Sequence, residues 1–290
     1  DHVLHFDEDS ALNENSFTKG QLAVAFKRLL AITRNAEPFT SARPAAVKKA
    51  VGKLAKRFIG FKQQDAQEFL RFLLDGLHDD LNCIVKKPPY EELKDDPTQS
   101  DLEMSNRWWD NYCCRNVSRI KDLFCGQLRS EVICQTCKSR SVAFDPFWDL
   151  SVSIPKRQHR GSSGSSSLTD ALDGKAAINK LKGKDGKRGR SKAQSPRKST
   201  RDSCSLYDCL QHLTKPDILS GDDAYYCSKC KKHQTSIKRL SIFRVPHVLV
   251  LHIKRFSYRA YRRTKLNTDV QFPLTGLDLH KFCWPPSVAQ

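Results

Sequence analysis

Apolar positions recur at helical spacing early in the chain and in alternation later. Leu22, Phe26, Leu29 and Leu30 predict a helix over about 17–32, with Ser16 and Thr18 as its caps. Pro38 and Arg43-Pro44 break that pattern. A second stripe, Val47, Val51, Leu54 and Phe58, predicts a helix over about 44–58 with lysines on its far side. The third helix is the broadest. Ala66, Phe69, Leu70, Leu73, Leu77 and Leu81 form an apolar face about four turns long, and Asp65 with Glu68 has capping-box spacing at its start.

Pro88-Pro89 and the charged run 91–101 read as a surface connection, and Trp108, Trp109 and Tyr112 as core aromatics. From Ile120 the period shortens to two. Leu128, Ser130 and Val132 alternate with Arg129, Glu131 and Ile133 in a strand that runs into Cys134, and 150–154 alternates cleanly up to Pro155. Ser205 to Leu210 reads as a capped helix start. Between Ile242 and Ile253, Val248-Leu249-Val250-Leu251 suits a strand buried on both faces. A basic hairpin over 259–265 and a short strand at 270–273 complete an α+β pattern. His247 and His252 flank the apolar strand and read as core residues, and His78 as a packed or surface residue of the third helix.

Composition changes this picture in two places. The net charge of +18 suggests nucleic acid, but residues 156–203 hold 14 basic and 4 acidic side chains, hence +10 of the total. That stretch has no aromatic residue and too little apolar surface to offset its ordering entropy, so it is expected to be a disordered basic insert. It includes a possible short helix at 167–181, a basic patch at 184–192 and a Ser195-Pro196 phosphorylation motif. No apolar run approaches the ~18 residues that span a bilayer. An odd number of cysteines, 11, and the absence of a secretory leader point to a reducing compartment, the cytoplasm or the nucleus.

Two short pairs organise the cysteines. Cys134-Gln-Thr-Cys137 and Cys227-Ser-Lys-Cys230 each put two thiolates on a tight turn, and two such turns complete a four-cysteine zinc site. Four thiolates saturate a tetrahedral ion and leave no position for water, so such a zinc is structural. No nucleophile stands out on physical grounds. The polar triplet Gln63-Gln64-Asp65 at the mouth of the third helix admits two readings, simple capping or a grip on an extended peptide.

These motifs together resemble the ubiquitin-specific protease family of cysteine peptidases, in the papain-like superfamily. The resemblance rests on Gln63-Gln64-Asp65-Ala66-Gln67-Glu68-Phe69-Leu70, on Leu123 to Leu128 leading to the first cysteine pair, on Gly221 to Tyr226 leading to the second, and on Val248 to Phe256. It implies a hand: a helical thumb (16–120), antiparallel zinc-bearing fingers (121–155 and 204–240) and a mixed palm (241–283), all within one partial catalytic domain over 1–290. It further implies a monomer that binds ubiquitin and ubiquitinated proteins, with Gln63, Asp65, Glu68 and Phe256 on ubiquitin's extended C-terminal tail, and hydrolysis of the (iso)peptide bond after its last glycine.

The departures from the family pattern shape what is expected of these residues. The family's cysteine box precedes the first helix, and residues 1–60 hold no cysteine. Its histidine box follows Leu279, and His280 does not match it. The stretch is therefore expected to be a hand truncated at both ends, with no catalytic residue and no peptidase activity of its own. Two other readings stay open: an inactive ubiquitin-binding module, and a zinc-ribbon nucleic-acid binder, against which the long gap between the pairs counts.

Overall fold

The computed structural model describes residues 12–35, 41–155, 203–259 and 262–284. The basic insert predicted at 156–203, with its helix and phosphorylation motif, lies outside the described residues except for Ser203. Three helices open the chain: α1 (Gln21–Arg34), α2 (Ala45–Leu54) and α3 (Ala66–Asp80). They share a core in which Leu22 and Val51 are fully buried and Leu74 and Leu77 nearly so. Gly76 lets α3 approach closely, because a Cβ there would sit 2.5 Å from Leu54 and 2.6 Å from Leu22.

The first helix starts later than its apolar spacing suggested, and Ser16 and Thr18 serve its start only through long bonds, the Thr18 hydroxyl accepting the Leu22 amide at 3.4 Å and the Ser16 hydroxyl the Gly20 amide at 3.3 Å. Its N-cap is Gly20 (φ 78°), which has no side chain to accept a bond. The shorter cap bonds come from α3. The buried Asp80 carboxylate accepts the amides of Leu22 (3.0 Å) and Ala23 (3.1 Å), and the hydroxyls of Ser16 and Thr18 at 2.5 Å each. One carboxylate thus satisfies two of the orphan donors at the positive end of α1.

Two further helices, α4 (Asp101–Cys113) and α5 (Arg119–Phe124), lead into the strands. The charged run was expected to stay a connection up to Asp101, but Ser100 and Glu103 close a reciprocal capping box and start α4. The strands β1 (Gly126–Cys134) and β2 (Arg140–Phe147) then form an antiparallel hairpin, followed by β3 (Leu150–Ser153). After the undescribed stretch come β4 (Ser203–Ser205), α6 (Leu206–Thr214) and β5 (Asp217–Leu219). A small hairpin, β6 (Tyr225–Cys227) with β7 (Lys232–Gln234), precedes the long strand β8 (Ser236–Arg244).

The main sheet has the order β2-β1-β8-β5, all antiparallel. In β1 the polar face is the more buried one: Gln127, Arg129 and Glu131 are all buried, and Arg129 fully. Arg129 donates to Asp101 of α4 and to Glu131, both at 2.8 Å, and its guanidinium lies 4.4 Å from the Trp284 ring centroid. Arg140 of β2 bridges the same two carboxylates at 2.6–2.8 Å. Charge pairing across α4 and β1 makes that burial tolerable.

The apolar run 248–251 is not one strand buried on both faces. Val245-Pro246-His247 breaks it from β8, and only β9 (Leu251–Lys254) is extended. Among the described residues β9 has one ladder partner, the parallel β3 (Leu150 opposite Leu251), so Leu251 to Ile253 are half-buried and Val248 is exposed. His247 is exposed rather than a core residue, and His252 is half-buried. The hairpin β10 (Phe256–Arg259) with β11 (Arg262–Lys265) and the strand β12 (Asp269–Gln271), parallel to β4, complete the fold. Here Leu150, Val152, Cys209, Leu210 and Ile242 form a second core.

Candidate functional site

The first cysteine pair lies where β1 turns into β2, the second where β6 turns into β7. Both turns are built alike. The residue after the second cysteine, Lys138 or Lys231, takes a left-handed conformation (φ 58° and 54°), and its amide returns to the first cysteine's carbonyl at 3.0 and 2.7 Å. The Cys230 amide also points at the Cys227 sulfur, 3.4 Å away. Pairing of β1 with β8 carries the Gln135 amide onto the Thr235 carbonyl (2.9 Å), which sets the turns side by side.

All four sulfurs lie within 4.8 Å of one another, and Cys137 and Cys227 approach to 3.5 Å. A tetrahedral ion with zinc–sulfur bonds of about 2.3 Å places its sulfurs roughly 3.8 Å apart. The cluster therefore has the size and donor chemistry of a structural metal site. Its thiols also conflict without a cation. Bonds from the Ser139 hydroxyl and amide hold Cys137 down to about 6, and the same hydroxyl lowers Cys227. Hydrogen bonds to Cys137 and burial push Cys230 up to about 12. A dication at the centre lets all four bind as thiolates.

The mouth of α3 is the second region singled out in the sequence. Asp65 is its N-cap and accepts the amides of Gln67 (2.9 Å) and Glu68 (3.2 Å). Glu68 does not close the predicted capping box, because its carboxylate pairs with Arg57 instead. Gln63 stands exposed just before the cap, and Phe61 is fully exposed. Gln67, quoted in the motif but assigned no role, donates to Asp149 at 2.9 Å and ties the mouth of α3 to the start of β3. Ser151 then meets His252 Nδ1 at 3.1 Å across the β3–β9 pair.

Phe256, 43% exposed, follows the C-terminal end of β9, whereas Gln67 touches the residue before β3 begins. Since β3 and β9 are parallel, these two places lie at opposite ends of one strand pair. Gln63, Asp65 and Glu68 cluster at one end and Phe256 stands at the other. The span suits an extended peptide of roughly five residues at about 3.3 Å each, lying along the pair.

Among the described residues, no cysteine sulfur hydrogen-bonds a histidine; the contacts of the sulfurs outside the metal cluster include Asn111, Tyr112, Lys121, Gly126 and one another. His280 pairs with Asp278 at 3.0 Å in a cleft of about 710 Å³ that also touches Cys125 and Cys283. Burial pushes both of those thiols up, Cys125 to about 11, which is the reverse of activation.

The family model described as ubiquitin carboxyl-terminal hydrolase matches residues 1–289. Ubiquitin carboxyl-terminal hydrolase 2 of Gallus gallus is 38% identical over 257 residues, which is 89% of this chain and 60% of that protein. Ubiquitin carboxyl-terminal hydrolase 3 of Homo sapiens is 35% identical over 253 residues, 85% of this chain and 40% of that protein. The chain thus spans less than two thirds of the length of these relatives. The SAGA DUB module of Ubp8, Sgf11, Sus1 and Sgf73 bound to monoubiquitin aligns with a TM-score of 0.59 and 22% identity, over 98% of this chain and 48% of that one. The same module bound to ubiquitin aldehyde gives a TM-score of 0.55. The shared feature is the α+β fold.

Proposed function

The chain belongs to the ubiquitin carboxyl-terminal hydrolase family, and from that premise we propose that it is the ubiquitin-gripping part of a cysteine-type deubiquitinase. The observation that carries this reading is the contact of Gln67 with Asp149, which joins the mouth of α3 to the β3–β9 pair and so builds one track from Gln63 to Phe256. Ubiquitin's C-terminal tail lies extended along it. Asp65 and Glu68 offer carboxylates to the tail's arginines, and such charge-assisted pairs are directional as well as strong. Asp65 serves twice, as helix cap and as tail contact. Phe256 packs on the tail at the far end of the track.

The four cysteines hold zinc, whose part is structural: it closes the ends of the finger hairpins on each other. With those ends fixed, the sheet β2-β1-β8-β5 presents a firm face to the ubiquitin globule. The reaction of the whole enzyme is thiol-dependent hydrolysis of the (iso)peptide bond at ubiquitin's terminal glycine. These 290 residues supply the grip and not the nucleophile. Support for that division comes from the thiols themselves, none of which has a histidine partner among the described residues. The grip works in the cytoplasm or nucleus and on a monomeric chain.

The test is a pair of measurements on the purified zinc-loaded chain. Immobilised ubiquitin is expected to retain it, with retention lost when ubiquitin's last residues are removed, while ubiquitin–rhodamine stays uncleaved. Equal retention by tail-less ubiquitin overturns the track, and cleavage of the rhodamine conjugate overturns the division of labour.

A further inference from the structure

The six residues Cys204 to Cys209 open α6 with a closed set of local bonds. Ser205 is the N-cap, and its hydroxyl accepts the Asp208 amide at 3.1 Å. The Asp208 carboxylate accepts the Ser205 amide at 2.8 Å in return. In a helix capped this way, the residue before the cap and the fourth residue of the helix lie side by side, and two apolar side chains usually fill those places. Here both places hold cysteine. Their sulfurs are 3.9 Å apart.

A disulfide is about 2.05 Å long, so the sulfurs have only about 1.9 Å to close while the capping box holds the backbone. They differ in access. Cys209 is fully buried in the core with Leu150, Val152 and Leu210. Cys204 is half-buried and lines an open cleft of about 1050 Å³ with Tyr207, Gln211 and Phe282. Burial and the neighbouring Cys204 sulfur push the Cys209 thiol up to about 12, which leaves Cys204 as the sulfur that meets an oxidant.

We propose that Cys204 and Cys209 are a reversible redox pair that closes into a disulfide when a hydroperoxide reaches Cys204. The Cys204 thiolate attacks one peroxide oxygen, the O–O bond breaks, and hydroxide leaves and takes up a proton. Cys204 is then a sulfenic acid. The Cys209 sulfur attacks it, the S–S bond forms, the S–O bond breaks, and the hydroxyl leaves with the Cys209 proton as water. With hydrogen peroxide the balance is two thiols and one peroxide to one disulfide and two waters. Cys204 pairs with Val270 in the β4–β12 ladder, so the new bond ties that ladder covalently to α6.

The metal-loaded 290-residue chain, titrated with hydrogen peroxide, tests this. Both cysteines fall on one tryptic peptide, since no lysine or arginine separates them. After alkylation that peptide is expected about 2 Da lighter than its reduced form and without either alkyl tag, with both tags restored by dithiothreitol and metal content unchanged. In Cys209→Ala, the sulfenic acid on Cys204 has no resolving thiol and is expected to be captured by dimedone. Cys204→Ser replaces a half-buried side chain at the edge of the core with one of nearly the same size, and it is expected to keep the fold and abolish the oxidised peptide. Full alkylation of both cysteines at peroxide doses that spare the metal overturns the proposal, as does a bond from Cys204 to any other cysteine.

Discussion

Asp80 caps a helix to which it does not belong: its carboxylate, at the end of α3, accepts the Leu22 amide of α1 at 3.0 Å. Replacing it with alanine takes the short acceptor from two amides and two hydroxyls in a buried site and leaves the Leu22 amide only the Thr18 hydroxyl at 3.4 Å. Asp80→Ala is expected to cost about 3–5 kcal/mol, with Asp80→Asn intermediate because it keeps one acceptor oxygen. Urea unfolding measures both, and an alanine variant within about 1 kcal/mol of the parent contradicts the shared cap.

The metal cluster predicts a dependence on metal that is structural. Cys230→Ser, or exhaustive chelation, is expected to release one zinc per chain and to loosen the β6–β7 hairpin and the β1–β2 turn. Amide exchange is the readout. Protection is expected to fall in 130–142 and 222–238 while the α1–α3 core keeps its own, and uniform loss over the whole chain speaks against a local staple.

Acid sensitivity follows from the four-charge bridge between α4 and the sheet. Burial alone raises the Asp101 and Glu131 carboxyls, but hydrogen bonds from Arg129 and Arg140 outweigh it and hold both below the ordinary carboxylate range. A folded-state value below the unfolded one gives stability that is complete above the unfolded value and is lost as pH falls through the folded one. The melting temperature is thus expected to decline from about pH 5 downward. Asp101→Asn should lower it at pH 7 and flatten the decline, whereas an unchanged acid slope removes the bridge as its cause.

Phe256 and Glu68 separate binding from stability. Phe256 is 43% exposed, and Glu68 pairs at the surface with Arg57, so either alanine variant should shift stability by less than about 1 kcal/mol. Each is expected to weaken ubiquitin retention roughly tenfold, about 1.4 kcal/mol. Titration calorimetry with intact ubiquitin decides the point, and undiminished affinity in both variants rules out the track.

Legibility in the sequence followed the range of the interactions. The cysteine pairs could be read because a metal site built on tight turns fixes its spacing locally, and Ser205 could be read because its capping partner is three residues away. Glu68 had the right spacing, yet the competing Arg57 is invisible to a local pattern. The start of α4 was missed although Ser100 and Glu103 carry a capping box, because the charged run before it resembles a loop. Burial of Arg129 could not be foreseen, since its partner Asp101 is 28 positions earlier and alternation alone does not say which face turns inward. The Trp284 indole N–H likewise reaches Asp101, at 3.0 Å across 183 positions.

Cys137 and Cys227 stand in contact although 90 positions separate them. The entropy of closing such a loop grows only logarithmically, about 0.6 kcal/mol for each doubling of length. Most of that span is built into the fold as β2, β3, α6 and β6, but the connection from β3 to β4, whose ends are held by the ladders to β9 and β12, can change length at about that cost. The ladders thereby free that connection from the length constraint that binds the rest of the fold, so that an insertion or deletion there leaves both cores and the cysteine cluster in place.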